Sequence, residues 1–236
     1  APIAILSAVE RGKEAIYYLR DETSLGIIKN YYSGNKLFAK SIYMMMESPG
    51  HLLFRKENVL ALRKATSVIA NSHFMAQRLW DMYRVEAQVF HPKIDEELLL
   101  ASYNKNKSLN ENNNDAVIMI GDTKIKGVDL FLALAEKYPS EKFYIFGKNS
   151  SFVSSLPNVE HKGWCSDTSY PFSRAKVVLV PSLWDEAFGR VAVEANCLGI
   201  PVIVSNHGGL PEAVNYEASK IASCLDDFES KLKEYL

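Results

Sequence analysis

Short, wholly apolar segments alternate with helical patterns through the second half of the chain, and this alternation constrains the fold most. The apolar segments lie at 116–120, 143–146, 177–180 and 201–205. Each of the first three ends directly at a glycine or a proline, and segments with helical patterns lie between the strands. Strands that are apolar on both sides are typical of a parallel sheet covered on both faces. Because right-handed crossovers connect such strands, the sequence predicts a doubly wound, Rossmann-like α/β domain.

The first hundred residues show a similar but weaker pattern. Strands are predicted at 15–19, 67–70 and 88–90. A helix is predicted at 73–83, and Ser72 is suited to be its N-cap. This half is therefore also predicted to be α/β.

A polar, asparagine-rich stretch at 101–115 has few apolar residues to bury, and it predicts a linker. The chain of 236 residues is therefore divided into a partial or reduced N-terminal domain at 1–100, the linker, and a C-terminal domain at 116–236.

Composition and charge exclude several classes of protein. The net charge of −1 gives no reason to expect nucleic acid as a partner. No apolar run reaches the roughly 18 residues of a membrane span, and the N-terminal stretch lacks the basic residues and cleavage pattern of a signal peptide. The three cysteines (Cys165, Cys197 and Cys224) and the five histidines lack metal-ligand spacing. These features predict a cytoplasmic protein without a metal site.

The stretch 181–195 carries the densest set of candidate functional residues. It follows a predicted strand and opens a helix, and parallel sheets bind ligands beyond the carboxyl ends of their strands. A helix N-terminus offers N–H groups to a phosphate, Gly189 would let the anion approach closely, and Arg190 would add a charged donor. Glu194, about one turn into the helix, could accept from paired sugar hydroxyls, and Glu186 could meet a second sugar.

These residues also have a purely structural interpretation. Glu186 and Asp185 could complement the helix dipole. Arg190 and Glu194, four residues apart on a helix, could form a simple surface pair. The spacing alone leaves both interpretations open.

An ordered series of motifs resembles one enzyme family. Glu186 and Glu194, in the setting Glu-Ala-Phe-Gly-Arg-Val-Ala-Val-Glu-Ala, are similar to the E-x7-E signature of family 4 glycosyltransferases, which have the GT-B fold. The series covers roughly residues 15–225 and includes segments at 70–72, 92–95, 126–127, 196–203 and 208–212. The resemblance implies a retaining glycosyltransferase that uses a nucleoside-diphosphate sugar (UDP-, GDP- or ADP-linked) and needs no metal or other cofactor.

The resemblance also assigns roles to single residues. Glu194 would accept hydrogen bonds from the ribose of the donor, and Glu186 would hold hydroxyls of the donor sugar. Lys126 would bind the diphosphate and stabilise charge on the leaving group, an effect that is largest in the transition state. The backbone that would line the donor belongs to Ala187, Phe188, Gly189, Arg190 and Val191.

Two further segments match the places where the family packs the nucleotide base and closes the pocket. They contain Gly147 with Lys148, and Trp164. Trp164 has an alternative place in the core of the domain.

Two departures from the family concern single residues. The family usually has an arginine after the glycine of the turn that precedes Lys126, but here Asp122 follows Gly121, and Lys124 could substitute. A carboxylate beside a diphosphate is unfavourable unless it points away or binds a cation. Many members also have a histidine at the end of strand 15–19, where this chain has Arg20 and Asp21. These two could contact a phosphate, the acceptor or a hydroxyl, or form a plain salt bridge.

A third departure is the length, because a GT-B enzyme with two complete domains is considerably longer. The chain is expected to be an artificially shortened, incomplete or naturally reduced member, and a natural short form would need a partner subunit for transfer. A non-catalytic nucleotide-sugar-binding subunit, or an epimerase or hydrolase on the same fold, are the alternative functions. The acceptor would be a sugar or a lipid-linked or polysaccharide precursor. That acceptor class allows peripheral association with the inner face of the membrane, although no basic amphipathic helix argues for it.

Overall fold

A computed structural model describes residues 2–21, 25, 49–109, 114–149 and 151–236. The chain divides into two compact units, Ala1–Pro92 and Lys93–Leu236. None of the helices in the described ranges is long and apolar enough to cross a membrane.

The N-terminal unit contains a three-stranded parallel sheet in the order β1-β2-β3. Its described elements are α1 (Pro2–Glu10), β1 (Ile16–Leu19), α2 (Pro49–Lys64), β2 (Ser67–Ala70), α3 (His73–Tyr83) and β3 (Gln88–Val89). The predicted start of α3 is confirmed, because the Ser72 hydroxyl accepts from the Met75 N–H at 3.0 Å and satisfies one of the free donors of the first turn. Met75 and Leu79, one turn apart on α3, are buried.

The C-terminal unit has a six-stranded parallel sheet in the order β6-β5-β4-β7-β8-β9. Its helices and strands are α4 (Glu96–Leu109), β4 (Ala116–Ile120), α5 (Val128–Lys137), β5 (Lys142–Phe146), β6 (Val159–Gly163), α6 (Tyr170–Ser173), β7 (Ala175–Val180), α7 (Arg190–Cys197), β8 (Val202–Ser205), α8 (Leu210–Ala213), β9 (Ile221–Ala222) and α9 (Leu225–Leu232). Counted within the unit, this order is 3-2-1-4-5-6, the arrangement of a doubly wound fold whose crevice lies between the first and fourth strands.

Two hydrophobic cores cover the two faces of this sheet, because alternate residues of each strand point to opposite faces. Ile118 of β4 and Val178 of β7 pack on one face with α7 and α8. Val117 and Leu179, on the same two strands, pack on the other face with α5 and α9. The doubly wound α/β architecture is therefore confirmed.

The predicted linker at 101–115 requires a correction. Residues 96–109 form α4, and the division between the two units falls after Pro92. Leu99 and Tyr103 lie one turn apart on α4 and are buried, and Tyr103 joins the core beside α7. The polar composition hides this narrow apolar stripe. Residues 110–113 of the predicted linker lie outside the described residues.

Candidate active site

A cleft lies at the carboxyl ends of β4 and β7, where the order of the strands reverses. Its cavity volume is about 180 Å³. It is lined by Met119, Ile120, Lys126, Leu179, Val180, Pro181, Ser182, Glu186, Gly189, Arg190, Val191 and Leu210. A crevice at this point is where doubly wound sheets bind their ligands.

Lys126 is fixed at this cleft by a tight turn between β4 and α5. Residues 124–126 form one 3-10 turn, and Gly127 ends it with φ +86. A Cβ atom at Gly127 would lie 1.9 Å from the carbonyl oxygen of Pro181, so only glycine allows the turn to approach the end of β7. The Leu183 N–H also donates to the Ile125 carbonyl at 2.9 Å. The loops after β4 and β7 are therefore joined by their backbones beside Lys126.

Glu186 is the direct partner of Lys126. The Lys126 ammonium donates to Glu186 Oε1, and the Ser182 hydroxyl donates to the same oxygen at 2.7 Å. The ammonium also lies 5.3 Å from the centre of the Trp184 ring, within the range of a cation–π contact. The Ser182 carbonyl in turn accepts from the Ser205 hydroxyl at 2.6 Å, which fastens this loop to the end of β8.

Glu194 lies in α7, one turn beyond Gly189. Arg190 Nε and Nη2 donate to Glu194 Oε1 at 3.1 and 2.8 Å. The pair that the structural interpretation predicts is thus present, but it is not a simple surface pair. The Arg190 side chain is 64% exposed, whereas that of Glu194 is 8% exposed. A buried carboxylate beside the N-terminus of a helix is suited to accept further hydrogen bonds from a ligand.

Close contacts at glycines hold the loop around Glu186. Gly189 has φ +120, and a Cβ atom there would lie 2.7 Å from Leu210 Cδ2. Gly208 has φ +60, and a Cβ atom there would lie 2.3 Å from the Glu186 carbonyl oxygen, which also accepts from the Gly209 N–H at 2.6 Å. The stretch that contains Ala187, buried Phe188 and Val191 is therefore shaped by glycines in two loops.

Asp122, which follows Gly121 at the end of β4, is turned towards the neighbouring strands. Asp122 Oδ2 accepts from the Asn149 N–H at 2.6 Å and lies 3.1 Å from His161 Nε2. The carboxylate therefore contacts the loop after β5 and the strand β6. Lys124 is 87% exposed, and its ammonium lies 3.9 Å from Asp129.

Lys148 and Trp164 come together at the ends of β5 and β6. The Lys148 ammonium lies 4.3 Å from the centre of the Trp164 ring. Trp164 is 60% exposed, so the alternative that it belongs to the core is wrong. Gly147 starts the loop that carries Lys148.

Arg20 and Asp21 lie in the N-terminal unit, directly after β1. The Arg20 carbonyl accepts from Asn71 Nδ2 at 2.8 Å, so the ends of β1 and β2 are fastened together. The Arg20 side chain is exposed. The other predicted site residues belong to the C-terminal unit.

Sequence reasoning did not find three residues that support the site. Ser182 is the buried partner of Glu186, and a serine four residues before a candidate glutamate in the same loop was the available signal. Asn149 and His161 are the partners of Asp122. His161 could not be found, because β6 is an edge strand without an apolar run. Asn149 contacts Asp122 through its backbone N–H, which no side-chain pattern indicates.

Comparison with known proteins assigns the chain to a family. The sequence profile of the glycosyl transferases group 1 family matches residues 102–223, which is more than half of the chain. The chain therefore belongs to the glycosyl transferases group 1 family.

Matches to individual curated proteins are shorter. An uncharacterized 41.2 kDa protein in the cps region of Klebsiella pneumoniae is 41% identical over 81 residues, which are 29% of this chain and 22% of that protein. Spore coat protein SA of Bacillus subtilis is 26% identical over 173 residues, or 64% of this chain and 45% of that protein. A D-inositol 3-phosphate glycosyltransferase of Mycobacterium tuberculosis is 45% identical over 65 residues, which are 28% of this chain and 12% of that protein. The chain spans less than half of the length of each of these relatives.

Solved structures share the fold over almost the whole chain. Sucrose-phosphate synthase from Thermosynechococcus elongatus matches with a TM-score of 0.72 and 18% identity, over 99% of this chain and 62% of that one. HepE of Anabaena in complex with UDP and glucose matches with a TM-score of 0.67 and 19% identity, over 98% of this chain and 63% of that one. These likenesses confirm the predicted GT-B fold class.

Proposed function

We propose that the chain carries the donor-binding half of a retaining family 4 glycosyltransferase. This enzyme would move a sugar from a nucleoside-diphosphate sugar to a hydroxyl group of a glycan, lipid-linked or polysaccharide acceptor. The observation that carries the proposal is the meeting of Lys126 and Glu186 in the cleft between β4 and β7. Membership of the glycosyl transferases group 1 family supports it, and so do the complexes of HepE with UDP and with UDP-glucose.

The proposed chemistry follows from the charges at the cleft. The Lys126 ammonium would contact the diphosphate and stabilise the negative charge that develops on it as the glycosidic bond breaks. The N–H groups at the start of α7 would add to this effect. Positive charge from these groups would make a divalent metal unnecessary, and we expect transfer to continue when EDTA is present.

The two glutamates of the E-x7-E motif would bind the uncharged parts of the donor. Glu194, held in α7 by Arg190, would accept from the ribose hydroxyls. Glu186 would exchange its bond with Lys126 for bonds with hydroxyls of the donor sugar. The acceptor would attack from the face that the diphosphate leaves, and a departing phosphate oxygen would take its proton, so the anomeric configuration would be retained.

Thermal unfolding in the presence of UDP, GDP, ADP and their sugars tests the donor site. A ligand that binds only the folded state at 100 times its Kd should raise the Tm by about 5–10 °C. Lys126→Ala and Glu194→Ala should abolish the shift. Lys231→Ala, which removes the same charge from the exposed surface of α9 in the same unit, should leave it unchanged. A shift that survives in both site variants would place the nucleotide elsewhere.

Product analysis tests the reaction itself. Incubation with the donor that binds and with hydroxyl acceptors should yield a glycoside with the anomeric configuration of the donor, as measured by NMR. An inverted product would contradict the proposed mechanism. Binding without any product would favour a nucleotide-sugar-binding subunit.

A further inference from the structure

The carboxylate of Asp122 occupies an unusual position for an acidic residue in a site that is proposed to bind a diphosphate. It lies two residues after the end of β4 and only four residues before Lys126, and its side chain is 8% exposed. An ionised carboxylate at this depth needs hydrogen bonds to replace its hydration. Asp122 Oδ2 has them from the Asn149 N–H and from His161 Nε2, at 2.6 and 3.1 Å.

The contact between Asp122 and the loop after β5 requires a glycine. A Cβ atom at Gly147 would lie 2.0 Å from Asp122 Oδ2, so any other residue would displace the carboxylate. The backbone around it is also fastened across three strands. The Gly121 N–H donates to the Phe146 carbonyl at 2.8 Å, and the Gly147 N–H donates to the Gly163 carbonyl at 3.0 Å. Asp122 therefore joins the end of β4 to the loop after β5 and to the strand β6.

The loop that Asp122 holds carries a surface suited to a nucleobase. Lys148 and Trp164 stand at the ends of β5 and β6, on the side of β4 away from β7. The indole of Trp164 is largely exposed, and an aromatic ring can stack with any of the nucleobases. A donor whose diphosphate lies at Lys126 could therefore reach this surface with its nucleoside.

We propose that Asp122 is a positioning residue of the donor site, which acts through the loop 147–149 and through His161 to hold Lys148 and Trp164 ready for the base. It is not a ligand of the diphosphate. This inference rests on the proposed function, because it presupposes a nucleotide in the cleft.

The two roles that Asp122 could have predict opposite changes in nucleotide affinity when its carboxylate is removed. A carboxylate that faced the diphosphate would repel it, so removing the charge would tighten nucleotide binding. A carboxylate that holds the base surface would, when removed, free the loop and weaken nucleotide binding. Inorganic pyrophosphate, which has no base, would then be unaffected.

Calorimetric titration of the full chain with UDP, GDP, ADP and pyrophosphate separates these roles. Loss of one ordered base contact corresponds to about tenfold in affinity. Asp122→Ala should therefore weaken the binding of the preferred nucleotide about tenfold and leave pyrophosphate affinity unchanged. Asp122→Asn should recover most of the affinity, because its amide oxygen can still accept from the Asn149 N–H. Hydrogen exchange at the Asn149 amide should rise in Asp122→Ala and remain slow in Asp122→Asn.

Asp115→Asn provides a matched control at the opposite end of β4. Asp115 accepts from Arg174 and Lys142, far from the cleft along the strand. Its replacement should lower stability without changing nucleotide affinity.

Three results would overturn the inference. The first is nucleotide binding by Asp122→Ala that is equal to or tighter than that of the unmodified chain. The second is an equal loss of affinity for pyrophosphate and for the nucleotide. Either of these would overturn the inference and leave the proposed function intact. Failure of the unmodified chain to bind nucleotide or pyrophosphate would refute the proposed function, and the inference with it.

Discussion

Replacement of Glu186 by glutamine should tighten the binding of a nucleoside diphosphate, although it removes a residue of the proposed donor site. In the structure Lys126 donates to Glu186, so a diphosphate has to take the ammonium from this carboxylate. The neutral amide of Glu186→Gln competes less for the ammonium and does not repel the phosphates. A donor sugar, by contrast, would lose its strongest acceptor.

The magnitude follows from the burial of the pair. The side chains of Lys126 and Glu186 are 34% and 14% exposed. The pair therefore lies between exposed ion pairs and fully buried ones, and we assign it about 1–2 kcal/mol. This free energy corresponds to an affinity for the nucleoside diphosphate that is about 5- to 30-fold higher in Glu186→Gln.

Calorimetric titration with UDP, GDP and ADP measures this change. Lys126→Ala should lose affinity for the same ligand, and transfer by Glu186→Gln should fall sharply. Glu217→Gln removes one negative charge from exposed Glu217, which pairs with Lys220 in the same unit, and it controls for net charge. If Glu186→Gln binds the nucleoside diphosphate as weakly as Lys126→Ala does, Glu186 does not compete with the diphosphate for Lys126.

Two further predictions concern stability. Gly127→Ala should lower the free energy of unfolding in urea by more than the roughly 1–3 kcal/mol of a strained backbone, because its Cβ would lie 1.9 Å from the Pro181 carbonyl oxygen. Gly199→Ala is the control, because Gly199 also has a positive φ (+67) but has open space around it. An equal loss of stability in both variants would refute the steric argument. Hydrogen bonds from Lys137 and Lys233 lower the pKa of Glu229 from 4.5 to about 2. The contribution of the Glu229 carboxylate to stability is therefore complete above pH 4.5 and is lost as the pH falls towards 2. The deficit of Glu229→Gln in thermal unfolding should therefore shrink over that range, and a constant deficit would contradict the assignment.

The central strands of the C-terminal unit could be predicted because burial on both faces leaves a direct signal in the sequence. The segment 116–120 is apolar throughout and forms β4 with the predicted bounds. In β6, at the edge of the sheet, glutamate, histidine and lysine interrupt the pattern, and this strand was not predicted. Likewise, the sequence predicts a linker over part of α4, because its polar residues outnumber Leu99 and Tyr103.

The composition of the site could be predicted in part, but its internal pairing could not. The helix start at Gly189 and the spacing of Glu186 and Glu194 indicated a site at the end of β7. The contact between Lys126 and Glu186 joins residues 60 positions apart. It depends on β4 and β7 being neighbours, which follows from the strand order rather than from either local segment.

The direction of the Asp122 side chain was also beyond sequence reasoning. The sequence showed a carboxylate where the family usually has an arginine, and a conflict with a diphosphate followed. The structure turns the carboxylate towards the backbone N–H of Asn149 and the side chain of His161, and no sequence pattern singles out either of these two groups.

A crystal structure of the chain with its preferred nucleoside diphosphate would show whether Lys126 and Glu194 form the donor site. The proposed site requires that a diphosphate oxygen lies within hydrogen-bonding distance of Lys126 Nζ, that the ribose hydroxyls contact Glu194, and that Lys126 has separated from Glu186. A nucleotide bound away from the cleft between β4 and β7, or one bound there while Lys126 remains on Glu186, would contradict it.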